Sequence, residues 1–217
     1  MQEKRKSDDN LKQPIPKKLK NNIASITSQI NYTNGDKYIG DIEDDCPHGK
    51  GKMTFANNEI MSYDGDWING NKHGYGSYIY TNGAIYNGNF SNDVLDGEGT
   101  LVYKNTNDTY FGSFKNNRFH GKGTFIDKNG EYNGDFQDDK KHGVGTMKYN
   151  SGDIKIYSGQ WNSNKRTGKA FIMFSNGDIY CGNVKQGSKS GYGEYISFDT
   201  KTSLSGQWAN DRYISQK

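Results

Sequence analysis

The chain is poor in the residues that usually brace a fold. Proline occurs three times in 217 residues and cysteine twice. The two cysteines fit a reducing compartment. The longest apolar run, AFIMF at 170–174, has five residues. A membrane-spanning helix needs about 20. The N-terminus lacks the apolar stretch of a signal peptide, so an intracellular protein is expected, cytoplasmic or membrane-peripheral. The Asn-x-Ser/Thr triplets at Asn31, Asn89 and Asn107 then read as chance matches in an Asn-rich chain. Only 31% of residues are hydrophobic, which by itself points to disorder. The aromatics exclude that for most of the chain: 16 Tyr, 10 Phe and 3 Trp stand among 28 glycines.

Those glycines are periodic. Tyr-x-Gly recurs from Tyr38, Tyr63, Tyr86, Tyr110, Tyr132, Tyr157 and Tyr180, with Leu204-Ser-Gly206 as an eighth, degenerate copy. Numbering each copy from its first residue as position 0, position 2 is Gly in all eight. Position 4 is Ile42, Trp67, Phe90, Phe114, Phe136, Trp161, Val184 and Trp208. Position 11 is Gly in seven copies, and position 13 is Gly in six, with Ala170 the exception. Position 15 is Met53, Tyr78, Leu101, Phe125, Met147, Ile172 and Tyr195.

Alternation at period 2 puts positions 0, 2 and 4 on one face of a strand and 11, 13 and 15 on one face of the next. The second copy shows the device in full: Tyr63, Gly65 and Trp67, then Gly74 and Gly76, then Tyr86, Gly88 and Phe90 of the following copy. Rings beside missing side chains make a packed surface with few aliphatic residues. Asn82-Gly83, Asn129-Gly130 and Asn176-Gly177 predict two-residue type I′ hairpins. Ile30 and Tyr32 predict a lone strand before the first copy, and 204–208 a lone strand at the end. The expectation is all-β: about sixteen antiparallel strands in a meander roughly 75 Å long.

The stretch YDGDWINGNKHGYGSYIYTNG at 63–83 closely resembles the MORN repeat. The resemblance covers about 28–210 and rests on seven copies in register. It implies an elongated, single-layer, curved open sheet of repeated hairpins. It also implies a membrane-associated scaffold, a phosphoinositide binder or a dimerising spacer, and in several such proteins the array precedes a catalytic domain. Here seven residues follow position 210, so a non-enzymatic protein is expected. The expected organisation is a disordered basic tail at 1–27, the array at 28–210 and a C-terminal tail at 211–217.

No catalytic residues, metal or cofactor are expected. His48, His73, His120 and His142 share position 10. Equivalent positions lie about 9.6 Å apart, too far to share a metal, so a structural role in the turn is expected. The Gly-x-Gly pairs lead into strands and lack the spacing of a phosphate loop. The run Asp41–Asp45 lacks the spacing of a calcium loop. Cys46 and Cys181 lie six copies apart, roughly 58 Å, and do not bridge. The aromatics read as packing residues, so no specific nucleic-acid partner is expected.

Charge is segregated. Residues 1–22 carry a net +4, 23–139 a net −8 and 140–190 a net +7. Lys140, Lys141, Lys165, Arg166, Lys169 and Lys189 cluster around one set of turns, which would align them on one edge as a site for anionic headgroups or an acidic protein. Open edges and opposed ends also permit a homodimer. In the tail, Arg5 and Lys6 followed by Lys17, Lys18 and Lys20 match a bipartite nuclear-import pattern. Three readings therefore stand: an interaction scaffold, a phosphoinositide-binding peripheral module, and an accessory subunit of a nuclear enzyme complex.

Overall fold

The computed structural model describes residues 28–56 and 59–215. Seventeen strands follow one another in chain order. They are β1 (Ser28–Asn31), β2 (Lys37–Glu43), β3 (Cys46–Thr54), β4 (Ile60–Ile68), β5 (Asn71–Tyr80) and β6 (Ile85–Ser91). Then come β7 (Val94–Tyr103), β8 (Asp108–Lys115), β9 (Arg118–Asp127), β10 (Gly130–Gln137), β11 (Lys140–Tyr149) and β12 (Ile154–Asn162). The last are β13 (Lys165–Phe174), β14 (Ile179–Lys185), β15 (Ser188–Ile196), β16 (Ser203–Ala209) and β17 (Arg212–Ser215). Each pairs antiparallel with its sequence neighbours, giving one open sheet with β1 and β17 at its edges. β17 adds to the expected sixteen strands and takes in residues 212–215, which the sequence reading left in a C-terminal tail. Tyr213 packs edge-on against Trp208 and holds the strand down.

Register places like on like. Gly40, Gly51, Gly65, Gly76 and their successors face one another strand after strand as far as Gly206, with Ala170 the one interruption. Beside this glycine line runs an apolar line, Tyr38 to Met53 to Tyr63 to Tyr78 and onward to Leu204. Seven tyrosines, Tyr38, Tyr63, Tyr86, Tyr110, Tyr132, Tyr157 and Tyr180, are the largest fully buried side chains. The position-4 rings meet them edge to face, as Trp67 does Tyr63 at 5.0 Å between centroids. Such pairs add about 0.5–1.5 kcal/mol beyond burial. This is a core one side chain thick, lying on one face of a single sheet.

Each tyrosine also repairs the backbone beneath it. In β4–β5, Gly65 pairs with Gly76 but Asp66 pairs with His73, so Gly74 and Tyr75 form a bulge. The bulge takes the Asp66 carbonyl out of the ladder, and the Tyr63 hydroxyl donates to it at 2.8 Å. All seven tyrosines donate to the position-3 carbonyl, at 2.7–3.0 Å. Asp66 Oδ2 accepts the Tyr75 N–H at 2.9 Å on the far side of the bulge. Gly74 supplies its φ of +57°.

The turns differ from expectation. Positions 6 and 7 both have positive φ in all eight copies, from Asp44-Asp45 to Asn210-Asp211, with Asn69-Gly70 and Gln186-Gly187 among them. That is the type I′ conformation, whose twist matches the flanking strands. The three Asn-Gly pairs expected to be type I′ are not, because Asn82, Asn129 and Asn176 keep negative φ. At Asn82-Gly83 a three-residue loop closes with Gly83 N–H to Tyr80 O at 2.9 Å, and Tyr80 N–H to Ala84 O at 2.9 Å. The type I′ turns interlock along one edge: each position-7 N–H donates to the position-9 carbonyl of the preceding copy, at 2.9–3.2 Å in seven junctions. Stacking neighbours in this way is how a repeat array gains stability.

Candidate interaction site

Position 9 is where charge meets the aromatic face. It lies directly across the ladder from position 4, as Lys72 does from Trp67, Lys141 from Phe136, Arg166 from Trp161 and Lys189 from Val184. Its side chain therefore projects onto the rings. Lys141 Nζ stands 5.1 Å from the Tyr132 centroid and 5.4 Å from that of Trp161. The Arg166 guanidinium stands 5.5 Å from Tyr157. Lys189 Nζ lies 4.8 Å from Trp208 and 4.9 Å from Tyr195. Ring faces attract cations at these distances. Burial pushes the pKa of Lys141 and of Lys189 below the ordinary lysine value.

Acidic turn residues separate Lys141 and Arg166 from Lys72. The turn of the next copy brings Asp93 to Lys72, 2.5 Å from Nζ. At Lys141 the same turn position is Asn164, whose Oδ1 accepts the Lys141 N–H at 2.8 Å, and at Arg166 it is Gly187. At Lys189 it is Asp211, which accepts the Lys189 N–H at 2.8 Å without forming an ion pair with its Nζ. Among the described residues no ion pair involves Lys140, Lys141, Lys165, Arg166, Lys169 or Lys189.

The six basic residues grouped from the sequence do not form one patch. Lys141, Arg166 and Lys189 make a row on the aromatic face, two strands apart, about 9.6 Å per step. Lys140 and Lys165 are exposed at the starts of β11 and β13, on the turn edge. Lys169 lies on the opposite face, in a shallow hollow with Phe171, Cys181, Asn183 and Tyr192. Position 12 pairs with position 3, not with the ring positions, which is why Lys169 points away. The signal for the row was present in the sequence: position 9 has the parity of 11, 13 and 15, and the two-residue bulge preserves that parity.

The acidic half of the aromatic face carries a groove of about 570 Å³ between β4 and β9. Tyr78, Tyr80, Leu101, Tyr103 and Phe119 line it, and Asp93, Asn117 and Asp139 stand on its turn-edge rim. The His73 and His142 carbonyls accept from Tyr63 and Tyr132, and His48 Nε2 lies 3.3 Å from Glu43. Among the described residues no group of three or more His, Cys, Asp or Glu is placed to hold a metal, and Cys46 and Cys181 are free thiols. Arg5, Lys6, Lys17, Lys18 and Lys20 lie outside the described residues.

The MORN-repeat model matches at 38–60, 63–85, 86–107, 110–131, 132–154, 157–179 and 180–200. The chain belongs to the MORN-repeat family. Over 109 residues it is 29% identical to MORN repeat-containing protein 3 of Xenopus laevis, covering 50% of this chain and 38% of that protein. Over 64 residues it is 45% identical to the inactive protein tyrosine kinase pTKL of Plasmodium berghei (strain Anka), covering 28% of this chain and 5% of that one. The chain thus spans well under two thirds of either relative. MORN-repeat proteins are generally non-enzymatic, and their repeats typically mediate protein or membrane interactions.

Proposed function

We propose that this MORN-repeat protein is a non-enzymatic scaffold that holds an acidic protein partner along the aromatic face of its basic half. The row Lys141, Arg166 and Lys189 carries this reading. The three cations are evenly spaced, lack an acidic ion-pair partner among the described residues and stand over aromatic rings. A carboxylate brought there gains a charge-assisted hydrogen bond in a partly desolvated setting, where such bonds are strongest. The test compares capture of the native-cell partner by wild type, by K141E/R166E and by K169E. Loss with the first variant and retention with the second supports the reading; equal capture by all three ends it.

Lys140 and Lys165 favour a second reading, peripheral contact with phosphoinositide headgroups. They are exposed at successive turns on one edge, as a flat anionic surface requires. Co-sedimentation with phosphoinositide-containing vesicles at low salt decides it. Binding lost on K140E/K165E supports a membrane role, and no binding by wild type rejects it. The third reading, an accessory role in a nuclear enzyme complex, stands on Arg5, Lys6, Lys17, Lys18 and Lys20 alone. A fluorescent fusion whose distribution ignores K17A/K18A removes it.

A further inference from the structure

We infer that residues 12–18 of this chain, Lys-Gln-Pro-Ile-Pro-Lys-Lys, dock in cis into the aromatic groove of the acidic half, so that the array masks its own basic tail. The groove supplies rings on its floor and carboxylates on its rim. Tyr78, Tyr80, Tyr103 and Phe119 line it, and Asp93 and Asp139 flank it. Asp139 accepts the Phe119 N–H at 2.8 Å and forms no ion pair among the described residues. Asp93 also holds Lys72, so Asp139 is the less neutralised of the two.

The segment fits this site in charge, conformation and length. Proline favours φ near −65° and biases the residue before it to extended conformations, and the segment carries prolines at 14 and 16. Extended proline segments are the ligands that aromatic-lined grooves take. In the polyproline conformation Lys12 and Lys18, six residues apart, are separated by about 19 Å at 3.1 Å per residue. The turns bearing Asp93 and Asp139 are four strands apart, again about 19 Å. Ile15 then falls midway, over the apolar floor by Leu101 and Phe119.

Connection and direction agree as well. Lys18 is ten residues ahead of Ser28, the first residue of β1, and ten residues reach about 33 Å. From β1 to the β6–β7 turn is about 24–29 Å. The chain therefore arrives from the β1 side, setting Lys18 at Asp93 and Lys12 at Asp139. The acidic net charge of 23–139 and the basic net charge of 1–22 act in the same sense. Docked, the segment buries part of the cluster Lys17, Lys18 and Lys20, and whatever reads that cluster must first displace it.

Limited trypsin digestion of the full chain at low salt tests this. The comparison variants are D93N/D139N, which keeps the turn acceptor because Asn117 and Asn164 serve there in neighbouring copies, and I15S, which leaves the array untouched. Cleavage follows the open fraction, so cuts after Lys17 and Lys18 are expected about fivefold slower in wild type than in either variant. Cuts after Arg5 and Lys6, outside the docked segment, are expected to be alike in all three. Equal rates after Lys18 in wild type and I15S overturn the inference. Protection that grows with protein concentration also overturns it, because the groove then takes the tail of a second copy. Neither result bears on the Lys141–Arg166–Lys189 row, which this experiment leaves unaltered.

Discussion

Gly65 and Gly76 face each other across the β4–β5 ladder so closely that a Cβ on Gly65 would fall 2.5 Å from Gly76 Cα and 2.7 Å from the Tyr75 carbonyl oxygen. A Cβ on Gly76 meets something softer, the Tyr63 ring, with Cε2 at 2.3 Å. Backbone cannot step aside there, whereas a ring can swing. Repeat six shows the difference, since its position 13 is Ala170 while position 2 is Gly in all eight copies. Gly65→Ala is expected to cost about 3 kcal/mol and Gly76→Ala about 1 kcal/mol, the two ends of the overpacking range. Urea unfolding of both variants checks the order; a larger cost at Gly76 contradicts the account.

The Tyr63 hydroxyl has a separate duty. It donates to the Asp66 carbonyl at 2.8 Å and lies 3.3 Å from the His73 carbonyl. Tyr63→Phe keeps the ring over the glycine line and leaves the bulge carbonyl without its donor. An expected loss of about 1–3 kcal/mol follows from that unsatisfied group. Tyr195→Phe serves as comparison, because the Tyr195 hydroxyl donates to the Asp178 carboxylate and not to a bulge carbonyl.

Alkaline pH acts on the whole row of tyrosines. Burial pushes Tyr38, Tyr157 and Tyr180 up to about 12 from an ordinary 10.0, and Tyr63, Tyr86, Tyr110 and Tyr132 higher still. Above pH 10 the unfolded chain releases protons that the folded chain keeps, so stability falls as pH rises. The contribution is full below pH 10 and is lost as pH climbs through the folded values. Asp66 and Asp135 run the other way. Burial opposes their ionisation, but hydrogen bonds from Lys50 and the Tyr75 N–H, and from Lys122 and the Val144 N–H, outweigh it and hold both pKa values below the ordinary 3.8. Their contribution is present above that value and is lost as pH falls through the folded ones. Melting temperature against pH is therefore expected to be a plateau that drops steeply above pH 10 and more gently in acid, with the alkaline drop tracking tyrosinate absorbance at 295 nm.

Most of the fold was legible because the glycine and ring positions obey one parity from end to end. The type I′ turns were not assigned correctly. Asn-Gly is a strong hairpin signal, and it drew the assignment to Asn82-Gly83, while most of the true turns use Asn and Asp pairs such as Asp44-Asp45, Asn92-Asp93, Asn116-Asn117 and Asp138-Asp139. Asn and Asp tolerate the left-handed region, so no glycine is needed there to mark the turn. The basic residues were found but grouped by sequence proximity. Arg166 and Lys169 are three apart, which on an uninterrupted strand already means opposite faces. Reading the cluster as one turn edge hid the cation row, which only the pairing of position 9 with position 4 exposes.

Quantitative partner capture with Lys141, Arg166 and Lys169 varied separately by face tests the central claim most directly. The same tagged chain, folded to the same melting temperature, is compared as wild type, K141E/R166E and K169E. The account expects the partner recovered with wild type to fall at least tenfold with K141E/R166E, the loss that about 1.4 kcal/mol of charge-assisted contact represents, and to stay within twofold with K169E. Recovery unchanged by K141E/R166E, or lost only with K169E, would place the working surface on the other face and contradict it.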